Sequence, residues 1–109
     1  MSTLTLDEYE RLAMRTAAGQ LNAANGLLIA ALGLCGESGE VADHVKKHIA
    51  QGHSLDLAKL DEEVGDVLWY AARYAVWRGV SLGTLAQANV DKLQARYPEG
   101  FTTERSVNR

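Results

Sequence analysis

Residues 56–78 read DLAKLDEEVGDVLWYAARYAVWR, and their periodicity decides the fold. Leu57, Leu60, Val64, Val67, Leu68, Ala71 and Ala75 recur at three- and four-residue steps, which lines them along one apolar helix stripe. Gly79 stops that helix, and Ser81 caps a following one carrying Leu82, Leu85, Ala86, Val90 and Leu93. Upstream, Asn25-Gly26 reads as a turn. A helical segment then runs to about Gln51 with Leu34, Val41, Val45 and Ile49 on one stripe. Gly52-His53-Ser54 ends it, with Ser54 as a cap for the next element. Thr5 and Glu8 have capping-box spacing and open a first helix, which fades near Ala18-Gly19. Tyr97-Pro98-Glu99-Gly100 breaks the fourth helix, because a residue before proline avoids the helical region. No strand-like alternation competes. The expected class is all-α, about four helices in a bundle, with residues 1–101 as one domain and 102–109 as a short, mobile polar tail.

The composition agrees. The 109 residues are 47% hydrophobic and 23% charged, which suits one globular domain and excludes disorder. One proline and one cysteine exclude collagen-like repeats and a disulfide framework, and Cys35 reads as a small buried residue. The amino terminus lacks a secretory pattern, and no run approaches the ~18 apolar residues of a membrane span, so a cytoplasmic protein is the default expectation. Fourteen acidic residues against eleven Lys and Arg argue against a nucleic-acid polymer as partner. A nucleotide is still admitted, provided that a metal ion or a few local cations meet its phosphates. The long apolar stripes favour a homo-oligomer in which a second chain completes the core.

One pattern occurs twice. Glu37-Ser38-Gly39-Glu40-Val41 and Glu63-Val64-Gly65-Asp66-Val67 share the form acid, any residue, glycine, acid, valine. Acids three apart project from one side of a helix. At 100° per residue, Glu37 lies about 40° from Val41, and Glu63 the same from Val67, so each pair borders its apolar stripe. Like charges at this spacing repel by a few tenths of a kcal/mol, and each glycine costs about 1 kcal/mol relative to alanine. Solubility alone does not account for making both choices twice; small residues there would let a helix or a ligand approach. Two antiparallel helices packed through these stripes would bring four carboxylates into one pocket, which then holds protons or a metal. Oxygen-only donors suit a hard ion, Mg2+ with Mn2+ as substitute. Cys/His spacing for zinc and Glu-x-x-His pairs for di-iron are both missing from the sequence.

These residues resemble the MazG-like nucleoside triphosphate pyrophosphohydrolases, all-α proteins with Glu-x-x-Glu, a spacer, then Glu-x-x-Asp. The resemblance continues in Tyr9 and Arg15-Thr16, in Asn89-Val90-Asp91-Lys92-Leu93 and in Arg96-Tyr97-Pro98-Glu99-Gly100-Phe101, and so covers most of the chain. It implies Mg2+-dependent hydrolysis of a nucleoside triphosphate to the monophosphate and pyrophosphate. The metal ligands it implies are Glu37, Glu40, Glu63 and Asp66, with Glu37 as the weakly favoured proton acceptor from the attacking water. A house-cleaning role on nucleotide pools follows by the same resemblance, while the oligomer expected from the apolar stripes is a homodimer or homotetramer. The rival readings are a nucleotide-sensing or helical interaction module that keeps the acids without turnover and, among enzymes, a phosphoribosyl-ATP pyrophosphohydrolase.

The remaining candidates are contacts to phosphate and sugar. Glu37, Glu40, His44 and Lys47 follow one helix face, so Lys47 either reaches the acid pocket or is an ordinary exposed lysine. Asn89 interrupts the fourth stripe, where a buried amide needs partners; with Lys92 and Arg96 it is a substrate-binding candidate by resemblance. Trp69, Tyr70 and Tyr74 either build core or stack on a base. His44, His48 and His53 read as solvated or locally hydrogen-bonded groups, and no nucleophile–base arrangement surrounds them.

Overall fold

The computed structural model describes residues 3–17 and 23–109, the Ala23 side chain excepted. It is helical: α1 Leu6–Ala13, a 3-10 turn Met14–Thr16, α2 Ala23–Gln51, α3 Leu57–Arg78, α4 Leu82–Arg96 and α5 Thr103–Val107. No strand occurs among the described residues. The expected end of the first helix at Ala18-Gly19 lies outside them.

Local chemistry sets most boundaries. In α1 the capping box closes: the Glu8 N–H donates to Thr5 Oγ1, and the Thr5 N–H donates to Glu8 Oε1, both at 3.1 Å. Those hydrogen bonds, the Thr5 backbone first, hold the Glu8 carboxyl below its ordinary range. At the end of α3, Gly79 takes φ 78°, its N–H reaches Val76 O and the Val80 N–H reaches Ala75 O. That is a Schellman stop, available to glycine without strain.

Three boundaries differ from the sequence reading. Asp56, not Ser54, caps α3, accepting the Lys59 N–H at 3.1 Å. A fifth helix forms in the tail, where Thr102 accepts the Arg105 N–H. Asn25-Gly26 lies inside α2 rather than in a turn. Gly26 serves packing instead: a Cβ on it would lie 2.7 Å from Trp77 Cδ1. Gly33, seven residues on, is bare for the same reason, since a Cβ there would collide with the Tyr70 ring.

Gly26 with Trp77 and Gly33 with Tyr70 fix one antiparallel register between α2 and α3, a heptad step apart on each helix. The buried residues are small: Ala30 of α2 is fully buried, and Ala72 and Ala75 of α3, also fully buried, cluster with Leu82 of α4, with Tyr9, Met14, Ala71 and Leu85 packed around them.

Carboxylates of α1 brace the start of α4. Each of its first four N–H groups has a partner: Leu82 donates to Glu10 Oε1 at 2.9 Å, Gly83 to Asp7 Oδ1 at 2.8 Å, Thr84 to Ser81 Oγ at 3.0 Å and Leu85 to Ser81 O at 3.1 Å. Helix N-termini otherwise leave these donors to water. The Trp69 indole N–H adds a second brace, donating to Ala13 O at 3.2 Å and Thr16 Oγ1 at 2.8 Å.

Much of the expected apolar stripe stays uncovered. Ile49 is 77% exposed and Leu57 62%, and Leu32, Val64 and Leu68 also face outward. Cys35, expected to be buried, is exposed on α2. The reason is geometric: each stripe is wider than one neighbouring helix covers. Accessible surface reaches 7920 Å², against about 5,900 Å² for a compact monomer of this mass. The radius of gyration is 16.9 Å, against about 13 Å for a compact chain of this length.

Gly33→Ala is expected to lower the stability of the folded chain by about 1–3 kcal/mol, because the methyl must displace the Tyr70 ring. Gly36, where an added Cβ meets nothing, is the control: Gly36→Ala should be neutral or gain up to about 1 kcal/mol of helix propensity. Urea midpoints compare the two, and equal shifts would remove the register contact from the account. Asp7→Ala and Glu10→Ala should each cost about 1 kcal/mol, the usual loss of a helix cap, measured in the same unfolding series.

Candidate functional site

The register set by the two glycine–aromatic contacts places Glu37 opposite Asp66 and Glu40 opposite Glu63, since all four pairs obey one antiparallel offset. Glu40 and Glu63 share a cleft near the α2–α3 connection with Asp43, His44, Lys47, His53, Ser54 and Lys59. One turn away, Glu37 and Asp66 share a second cleft with Thr16, Trp69 and Tyr70. Within one chain the acids therefore stand as two facing pairs rather than as one four-carboxylate pocket. Among the described residues, no three His, Cys, Asp or Glu side chains converge tightly enough to hold one ion.

Glu63 is the exceptional member. It is only 8% exposed and is the one buried charged residue among those described. Its Oε1 pairs with His44 Nδ1 at 3.1 Å, while Oε2 is shut off from solvent with no hydrogen-bond partner. The roles on the imidazole follow from its other side. The Asp56 N–H donates to His44 Nε2 at 3.3 Å, so Nε2 carries no proton and Nδ1–H is the donor to Glu63. An orphaned carboxylate oxygen is costly to bury. A proton on Oε2 would exchange an unpaired acceptor for an unpaired donor, whereas a cation satisfies it. The donors, two facing pairs of carboxylates with no sulfur among them, suit hard divalent ions.

The nearby cations are arranged around Asp43. Lys47 Nζ lies 2.8 Å from Asp43 Oδ2 and Lys46 Nζ 3.2 Å from Asp43 Oδ1. The Asp43 hydrogen bond is the main cause of a raised Lys47 pKa, with the charges of Glu40 and Glu63 adding to it. The two lysines, Lys47 first, lower that of Asp43 in return. Lys47 is therefore a firm cation at the rim of the Glu40–Glu63 cleft, half-exposed and held by Asp43. Lys59 lines the same cleft and was not singled out from the sequence; its position four residues before Glu63 on α3 was the available signal. His44 is half-buried in the acid cleft rather than solvated.

In the second cleft, Trp69 is held by its indole N–H and lies edge-to-face with Tyr70, ring centroids 4.9 Å apart. Arg73 sits 5.6 Å over the Trp69 ring. Tyr9 of α1 stands close enough for Asp66 to matter: burial, then the Asp66 charge, raises the Tyr9 phenol above its ordinary pKa. Tyr70 has a packing role through Gly33 and also lines the cleft.

The α4 candidates are elsewhere. Asn89 is exposed, not buried as its place in the stripe suggested, because the far half of α4 has no helix packed over it. Lys92 is exposed too. Arg96 lines a separate cleft with Arg105 and Arg109, between the end of α4 and α5. None of the three lines the acid clefts of its own chain.

Comparison with known proteins gives the family. Residues 27–101 match the family model described as the MazG nucleotide pyrophosphohydrolase domain. The chain is also similar to the Gene 37 protein of Mycobacterium phage L5, 36% identical over 112 residues that cover 95% of this chain and 98% of the relative. No solved structure matches it. The matched segment takes in both acid pairs, the Gly33–Tyr70 contact, Trp77 and the α4 candidates, and on that extent the chain belongs to the MazG nucleotide pyrophosphohydrolase family.

Proposed function

We propose that the protein hydrolyses nucleoside or deoxynucleoside triphosphates to the monophosphate and pyrophosphate with Mg2+, Mn2+ substituting, as a nucleotide-pool house-cleaning enzyme of the cytoplasm. The observation that carries this is the facing of Glu37 with Asp66 and Glu40 with Glu63 across two helices, with a buried oxygen of Glu63 left for a cation. Glu37, Glu40, Glu63 and Asp66 would hold the metal. When bound, it would neutralise triphosphate oxygens and activate water for in-line attack on the α-phosphorus. Glu37 is the proposed acceptor of the water's proton, sitting where Trp69 and Tyr70 limit solvent on one side. Lys47 and Lys59 stand at the rim of the Glu40–Glu63 cleft, where their charges suit the leaving pyrophosphate. Asn89, Lys92 and Arg96 are proposed as further substrate contacts. A nucleotide partner, rather than a nucleic-acid polymer, agrees with the net charge of −3. Among the described residues, no helix is long and apolar enough to cross a membrane.

Assembly into a homodimer or homotetramer is part of the proposal. The surface in excess of a compact monomer is roughly 2,000 Å², more than the ~800 Å² each partner buries in a standard interface. Outward-facing Leu32, Ile49, Leu57, Val64 and Leu68 contribute apolar area to it.

Two measurements test the reading. Pyrophosphate and monophosphate release is followed across canonical and damaged NTPs and dNTPs, with Mg2+ and with chelator. Metal-dependent release of both products is expected, and Glu40→Gln should reduce it more than about 100-fold, beyond the loss typical of outer-shell changes at metal sites, with helix content intact. Silence from a folded, Mg2+-binding protein would replace the enzyme with a nucleotide-sensing module. Sedimentation equilibrium should give two or four times 11.8 kDa, and Leu32→Lys should shift the mass toward the single chain; a monomeric wild type would end the assembly proposal.

A further inference from the structure

The pairing between His44 and Glu63 does more than fill a hydrogen bond. His44 belongs to α2, and its two ring nitrogens meet α3 at two places: Nε2 at the backbone of the capping residue Asp56, Nδ1 at the Glu63 carboxylate two turns further on. With both nitrogens engaged, the ring has no freedom to flip, and the Glu63 carboxylate is held by one oxygen in one orientation. The oxygen left over is the buried, unpartnered Oε2.

The choice of a neutral donor matters. A lysine or arginine in this position would orient Glu63 equally well but would cancel the charge that a cation needs. The two lysines that line the cleft pair with other acids, Lys47 with Asp43 at 2.8 Å and Lys59 with Glu62 at 3.8 Å, and neither has an ion pair with Glu63. The cleft thus orients its one buried carboxylate with an uncharged N–H and holds its ammonium groups on other acids.

From this we propose that His44 is a positioning residue: its Nδ1–H fixes Glu63 Oε1, so that Glu63 offers a single oxygen, Oε2, to a divalent cation in the cleft it shares with Glu40. This rests on the reading of Glu63 as a metal ligand. Groups that orient ligands from behind a metal site typically cost about 10–100-fold in metal affinity when removed.

Mn2+ binding to the nucleotide-free protein, measured by titration calorimetry and by the fall of the free-ion electron paramagnetic resonance signal, tests the role without reference to turnover. Three proteins are compared: wild type, His44→Leu and His44→Asn. The Asn amide reproduces a donor near Nδ1 but has no group where Nε2 meets Asp56, so it restores the Glu63 contact alone. His44→Leu is expected to weaken Mn2+ binding at least about 10-fold, and His44→Asn to recover most of that loss even if its melting temperature stays lowered. Wild-type affinity in His44→Leu would overturn the proposal, and so would equal weakening in both variants in step with their melting temperatures, which assigns the imidazole to holding the α3 cap. Failure of the wild type to bind Mn2+, or unchanged binding in Glu63→Gln, would instead overturn the metal-ligand reading beneath it. The two failures are therefore distinguishable.

Discussion

An aromatic ring seated against a bare glycine leaves no room for a register slip, and α2 and α3 are joined by two such contacts. Tyr70 occupies the space of a side chain on Gly33, and Trp77 that on Gly26. Because the contacts repeat at seven residues on both helices, the next step along the same seam is fixed without further packing, and that step is Glu40 beside Glu63. The acids need this. Two carboxylates on separate helices gain nothing from facing each other, and their repulsion of several kcal/mol at short range and effective dielectric near 20 would slide or splay an interface that had no steric lock of its own.

The lock also explains how one of those acids can be buried. A charge out of water needs partners that cannot drift. His44 provides one only because α2 and α3 are held in register over their whole overlap, and because the α3 cap gives the far side of the imidazole a fixed donor. Helix α1 extends the same logic to the second acid pair. Its carboxylates pin the start of α4, Trp69 pins its end, and Tyr9 is thereby set beside Asp66.

Periodicity and end signals made most of this legible. The all-helical class, the capping box at Thr5, the stop at Gly79, the cap at Ser81 and the break at Tyr97-Pro98 each depend on residues within a turn of one another, and each stands in the structure. What misled was glycine with two meanings. Gly26 after an asparagine has the local signature of a turn, while its real constraint is Trp77, some fifty residues away. Gly39 and Gly65 carried the opposite ambiguity: they suggested close approach of a helix or a ligand, yet an added Cβ at either meets nothing among the described residues. The doubled acid motif was readable because its spacing is local, and its antiparallel facing followed from the two stripes. The pairing of His44 with Glu63 was not, since nothing in the spacing of a histidine says which of its nitrogens finds a partner on another helix.

Close approach and a large core compete in so short a chain. Helix axes lie about 8 Å apart when small residues meet and about 10 Å apart when bulky ones do. Carboxylates reaching across the gap need the smaller value. Gly26, Gly33 and Ala30 supply it on α2, but alanine and glycine bury little apolar area, so the seam that aligns the acids contributes little to the stability of the fold. The bulky residues, Leu32, Ile49, Leu57, Val64 and Leu68, are displaced to the outer faces of the same two helices, where the described residues leave them largely uncovered. At about 25 cal/mol per Å², covering that surface is the largest stabilising term still available to the molecule. An interior reserved for aligning charges thus makes the exterior the place where the chain's apolar residues must find their contacts.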